Sequence, residues 1–237
     1  MSTEEKRISV LKVISDLQKN GGVPPEVVAE IDLDPALALL RDWQVDRLKH
    51  TYADFLADPR YQPACAFFMS DIYAGRDFSR RDREFEHLYT LLSRILPEAS
   101  LRVLHDAIHL NQLTSDLDNR LLRVLVDEMG MQGRLTAEMY TEAYRRCDNY
   151  AERMRQIGML VAIVKEVGNA ARLPLVGRSL RLARLPALRL GWGEVYDFLD
   201  RGYQAFRPMK DVGRLAQALD EREKRLLKQI YSDRTEG

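Results

Sequence analysis

The side chains of this sequence best suited to chemistry are a few histidines with carboxylates near them, and a run of arginines late in the chain. Glu84 and His87, in Glu-Phe-Glu-His, have the spacing that sets two metal ligands on one helical face. Ferritin-like dinuclear iron sites use that pair twice, and no second ExxH occurs here. His105 and His109 stand at i and i+4, which also suits a shared metal ion, but Asp106 replaces the glutamate base of an HExxH site. A metal site built from Glu84, His87, His105 and His109 would support oxidoreduction or hydrolysis. The competing reading has Glu84 and His87 on a solvated charged face and the other two histidines half-buried, and it is the one preferred: no metal and no cofactor is expected.

Covalent catalysis has less to draw on. No GxSxG elbow occurs, and neither Cys65 nor Cys147 has a histidine beside it in sequence. Glycine-rich phosphate loops of the P-loop or Rossmann spacing are missing too. Catalytic groups can still converge from distant helices, so whether the protein is an enzyme stays open.

The most unusual stretch runs from Arg172 to Trp192. It carries Arg172, Arg178, Arg181, Arg184 and Arg189 among leucines, and no acid occurs between Glu166 and Glu194. Such a segment could meet an acidic protein partner, an anionic apolar ligand or an anionic lipid surface. Alternatively, it is a surface connection whose arginines pair with carboxylates of neighbouring helices. Pro174 and Pro186 are expected to break it into pieces. Nucleic acid is disfavoured, because no base-stacking aromatics are interleaved and Lys plus Arg equals Asp plus Glu, 36 each. The binding residues expected here are Arg178, Arg181, Arg184, Arg189 and Trp192.

A third feature is Asp71. On a helical wheel it falls between Phe67 and Phe68, inside a broad apolar arc that also holds Tyr61, Cys65 and Ile72. A carboxylate there needs a partner, since an unpaired buried charge costs several kcal/mol. Arg80, Arg81 and Arg83 are near in sequence, and a structural ion pair is the preferred role.

Phe67-Phe68-Met69-Ser70-Asp71-Ile72-Tyr73, followed by GRDFSRRD, resembles the signature of an uncharacterised bacterial family named for its FFLEELY motif. Phe67, Phe68 and Tyr73 match; Met69, Asp71 and Ile72 are conservative departures, and Ser70 replaces a glutamate. YDFLDRGYQAFRPM, from Tyr196 to Met209, resembles the same family near its C-terminus. The resemblance supports the fold over most of the chain and transfers no activity.

The elements that must position these residues are helices. Helical periodicity dominates, and strand-like alternation is scarce. With 237 residues, of which 46% are hydrophobic, the chain can bury a sizeable core. The expected fold is all-α: a multi-helix bundle with one long central helix and no sheet, a single domain over residues 1–237. Residues 1–20 form an N-terminal helix that can lie at the periphery, and residues 169–193 form the basic connection.

Asp34 and Pro35 open a helix, and Asp58 caps the next, which Gly75 stops. Ser79 begins another. Pro97 opens a segment through Leu113, and residues 115–128 form a further helix before the Gly130–Gly133 turn. From Thr136 to Gly168 the spacing of Met139, Ala143, Cys147, Tyr150, Met154, Ile157, Val161 and Val164 predicts one helix about 45–50 Å long. Two more follow near 193–206 and 211–231. In the first of these, Val195, Phe198, Leu199, Gly202 and Phe206 form a core stripe in which Gly202 admits a close neighbour.

The two cysteines lie far apart and outside any CxxC pair, which points to free thiols in a reducing compartment. The acidic N-terminus lacks the pattern of a secretory signal, and no apolar run is long enough to span a membrane. These features predict a cytoplasmic, non-transmembrane protein, for which a homodimer is one compatible state. The leading reading is a non-enzymatic binding protein; a metal-dependent helical enzyme is the alternative.

Overall fold

The computed structural model describes residues 35–73, 98–189, 191 and 193–232, and among these every regular element is a helix. Helix α1 spans Pro35–Thr51, with α2 at Ala53–Leu56 directly after it. Helix α3, Gln62–Phe67, runs on through a π-helical turn at Phe68–Tyr73. Then come α4 (Glu98–Arg123, continued by a π-helical turn at Val124–Glu128), α5 (Ala137–Cys147) and α6 (Tyr150–Ala170). Helices α7 (Pro174–Arg189), α8 (Gly193–Phe206) and α9 (Val212–Ser232) complete the chain. The expected all-α class holds. Expectations on residues 1–34 and 74–97, including the Gly75 stop and the Ser79 start, lie outside the described residues.

Three local expectations are corrected. Residues 136–168 are not one helix: Asp148 takes the left-handed conformation at φ 47° and ends α5, and α6 begins after Asn149. Short polar residues such as Asp and Asn tolerate that conformation, so a heptad-like spacing can continue across a break. The break has a consequence for packing. Ala143, with Met139 and Cys147, joins one apolar cluster, whereas Ile157, Val161 and Val164 join another.

Nor does α4 break near Leu113. Thr114 faces α6, where its hydroxyl accepts a hydrogen bond from Gln156 at 2.8 Å, and Leu117 and Leu121 are fully buried. Tertiary packing overrides the weak helix propensity of Thr114 and Ser115. Asp58, finally, does not cap α3. Its carboxylate accepts from the backbone N–H and guanidinium of Arg60, and α3 starts after Tyr61.

The turn between α4 and α5 follows its composition, since Gly130 and Gly133 both have positive φ, at 64° and 65°. Thr136 caps α5, its hydroxyl accepting from the Met139 N–H at 3.3 Å.

Helix α6 is central, packing along both α9 and α4. The larger cluster joins Tyr52, Phe55, Tyr61 and Phe67 to the inner faces of α6 and α9 and to Phe206. The smaller gathers Leu40, Leu121, Leu125, Met131 and Tyr140, with Trp43 stacked on Tyr140 at 4.0 Å. Helix α1 contributes to both through a buried row at every fourth residue: Leu40, Gln44, Leu48. Gln44 donates to the buried Asp118, which the buried Arg153 also holds, so a polar layer lies between the two apolar clusters.

Candidate functional site

Helix α7 carries the arginines singled out by the sequence, and the structure corrects the expectation for it. Residues 174–189 form one helix rather than pieces. Pro174 occupies its first position, where a missing N–H costs nothing. Pro186 lies inside, where its missing N–H forgoes the bond to the Leu182 carbonyl and its ring crowds that carbonyl, yet the helix continues past it to Arg189. Trp192 lies outside the described residues.

One side of α7 is docked. Gly177 and Ala187 are buried. Gly177 sits against the Tyr203 ring of α8, so closely that an added methyl would collide with the hydroxyl. The other side is open. Leu175, Leu182, Leu185 and Leu188 are exposed to between 48% and 74%, with Leu173 just ahead at 54%. Among the described residues the only other exposed large hydrophobic is Val126. The open side therefore concentrates almost all of the exposed aliphatic surface.

Arg178, Arg181 and Arg189 share that side, and Arg184 stands at its edge, in the row of Gly177. Arg178, Arg181, Arg184 and Arg189 are all exposed, and among the described residues no carboxylate pairs with any of them. The Arg181 Nε donates to the carbonyl of Gly177 at 3.3 Å, which lays that side chain along the helix. Arg184 lies near enough to the buried Tyr196 to oppose the upward push of burial on its phenol. Arg172, before the helix, donates to the Met209 carbonyl at 3.5 Å.

Asp71 is buried, and its partner is Arg201 of α8, not a residue close in sequence; Arg80, Arg81 and Arg83 lie outside the described residues. Arg201 Nε and Nη2 converge on Oδ1 at 2.9 and 2.6 Å, while the Ser70 hydroxyl donates to Oδ2 at 2.9 Å. The same two segments carry the aromatic motifs, and they pack on each other. Phe67 lies 5.3 Å from Phe198 and Phe68 5.8 Å from Phe206, centroid to centroid. Gly202 admits the Phe67 ring, whose Cζ would lie 3.1 Å from any Cβ added there.

The metal constellation is brought together only in part. Glu84 and His87 lie outside the described residues. The His105 and His109 rings are 6.5 Å apart; His105 is exposed rather than half-buried and touches Asp106 at 3.4 Å. Arg155 approaches His109 Nε2 at 3.5 Å, bringing a cation to one of that ring's two possible ligand nitrogens. Among the described residues no three side chains of the ligand types converge. Burial pushes the Cys65 thiol up to about 11 and also raises Cys147, which makes both poor nucleophiles at neutral pH.

Two features escaped the sequence. One is the buried polar layer. Arg153 Nη1 and Nη2 reach Asp118 at 3.3 and 3.4 Å, Nη2 also donates to the Leu117 carbonyl at 3.1 Å, and the guanidinium lies over the Tyr144 ring. Its signal was available: three residues after Tyr150 and four before Ile157, Arg153 falls on the apolar face of α6. The other is a shallow groove of about 210 Å³ between α2 and α9, lined by Asp54, Arg214, Glu221 and Arg222 among others. Arg222 there is already held by Asp54 at 2.7 Å through both carboxylate oxygens. Nothing local in the sequence links those two residues.

No described helix is long and apolar enough to cross a membrane. Residues 27–237 match the model of a family described as a domain of unknown function, DUF8198, and the chain belongs to that family. No curated protein and no solved structure matches it.

Proposed function

We propose that this is a non-enzymatic binding protein that uses the open face of α7 to engage an apolar, anionic counterpart. The observation behind this is the coincidence, on the open side of one docked helix, of four exposed leucines with Arg178, Arg181 and Arg189, and with Arg184 at its edge, none of which has a carboxylate partner among the described residues. Fully burying a leucine is worth about 1.5–3 kcal/mol, so a face that leaves four in water has much to gain from being covered. Exposed apolar patches of this kind mark interaction surfaces. The rigid mounting through Gly177 and Ala187 supports the same reading, because a pre-formed face loses little order on binding. The free thiols Cys65 and Cys147 support a reducing compartment such as the cytoplasm. Kinship with the bacterial FFLEELY family is part of this proposal, resting on Phe67, Phe68 and Tyr73.

The test is quantitative affinity capture from an extract of the source cell, with the proteins and lipids retained by wild type compared with those retained by Arg181→Glu combined with Arg184→Glu. Both side chains are exposed, so helicity and melting temperature should stay nearly unchanged while the specific partner is lost. Identical retention by the two proteins would remove α7 from the binding function.

A further inference from the structure

We infer that the counterpart of α7 is an acidic amphipathic helix of another protein, with apolar residues facing the leucines and Glu or Asp beside them. This rests on the binding role proposed for α7 and goes further by naming the occupant. The deciding feature is how the two residue types are arranged. Leu175, Leu182 and Arg189 lie in one row seven residues apart; Arg178 and Leu185 form the next, and Arg181 and Leu188 a third. Cations and leucines therefore alternate within these three rows, while Arg184 stands in the row of Gly177, at the edge of the open half.

That alternation decides among the occupants. A helix lying in a bilayer interface separates its faces, with leucines toward the acyl chains and cations on the polar side. In α7 the side opposite the leucines is occupied by α8, through Gly177 and the Tyr203 ring, and the arginines stand among the leucines instead. A bilayer would have to take up cations and leucines from the same rows, with no separate polar side to hold the charge at the headgroups.

A second copy of α7 would set arginines against arginines, which like-charge repulsion disfavours. Nucleic acid would leave the leucines uncovered. A helix with interleaved apolar and acidic positions satisfies both sets together: its apolar ridge fits between the leucines, and its carboxylates accept from the longer arginine arms on either side.

The probe is a fluorescein-labelled designed peptide, about four heptads long, with Leu at a and d and Glu at e and g, beside a counterpart carrying Lys for Glu. Full-length protein should raise the anisotropy of the Glu peptide saturably and leave that of the Lys peptide unchanged. Arg181→Glu with Arg184→Glu should weaken the Glu peptide at least about tenfold and gain binding of the Lys peptide, a reversal that misfolding cannot produce. Leu182→Asp with Leu185→Asp should abolish the binding of both.

The inference is overturned if the Glu peptide fails to bind, or if the two peptides bind alike. Flotation with phosphatidylglycerol–phosphatidylcholine vesicles separates the remaining cases. Arginine-dependent vesicle binding without peptide binding overturns the helical partner and keeps α7 as a binding face. Failure of both probes overturns the partner and leaves the proposed function to the capture experiment.

Discussion

Arg153 of α6 and Asp118 of α4 meet at 3.3 Å with their side chains only 5% and 11% exposed. Gln44 of α1 donates to the same Asp118 oxygen at 3.3 Å, so three helices converge on one carboxylate. Removing a buried charge from water is costly, and such a pair typically does little more than offset that cost. Its position ties α4 to α6 and α1 at one level, since Asp118 is held by both Arg153 and Gln44. Asp118→Ala strands the Arg153 guanidinium and should destabilise the protein by about 3–5 kcal/mol. Asp118→Leu combined with Arg153→Leu should restore most of the loss. Urea unfolding of the two singles and the double gives the answer; a double as unstable as the sum of the singles would mean that the pair does not act as a unit.

Gly168 of α6 sits against Val212, the first residue of α9, so tightly that an added methyl would overlap both Val212 methyl groups. Both residues are buried, and Val212 is β-branched with little rotamer freedom to move aside. Gly168→Ala should therefore cost about 1–3 kcal/mol through overpacking, against the gain in helix propensity such a change brings at an open site. Gly158, which has nothing near its missing side chain, is the control: Gly158→Ala should stabilise by about 0.5–1 kcal/mol. Equal thermal shifts for the two alanine variants would refute the close approach.

The parts of this fold legible in the sequence were those set by local physics. Helices α8 and α9 lie within about a residue of their periodic patterns, as expected for strongly amphipathic segments with turn residues between them. The Gly130–Gly133 turn was legible because two glycines had to supply positive φ. The misreadings came where tertiary contacts outweigh local preference. A heptad-like spacing cannot reveal that its two halves serve different clusters, so the Asp148 break was hidden. Two prolines suggested a broken α7, though one stands where helices accept proline and the helix continues past the other to Arg189.

The candidate site was legible in part: the arginines stood out as an unopposed run among leucines, whereas which side of α7 docks, the one with Gly177 and Ala187, was set by packing against α8 and had no local signal. Asp71 was visible as a misfit on an apolar arc. Its partner was not, because Arg201 is 130 residues away and no local pattern encodes that distance.

The thiol of Cys65 provides a pH test of the larger cluster. It is buried beside Tyr61, Ala64 and Phe67, and burial raises it from the ordinary 9.0 to about 11, with the Asp54 charge adding to the shift. The folded protein therefore keeps this proton where the unfolded chain gives it up. The associated stability is fully present below pH 9 and is lost as pH rises from 9 through 11. Other groups titrate in that range, but Cys65→Ala removes this contribution alone. Between pH 8 and pH 10.5 wild type should lose about 2 kcal/mol more stability than the alanine variant, measured by urea unfolding under reducing conditions. Iodoacetamide at pH 8.5 should leave Cys65 unmodified in the native protein and alkylate it readily in urea. Parallel stability profiles for the two proteins would show that the thiol is not held in the apolar environment described.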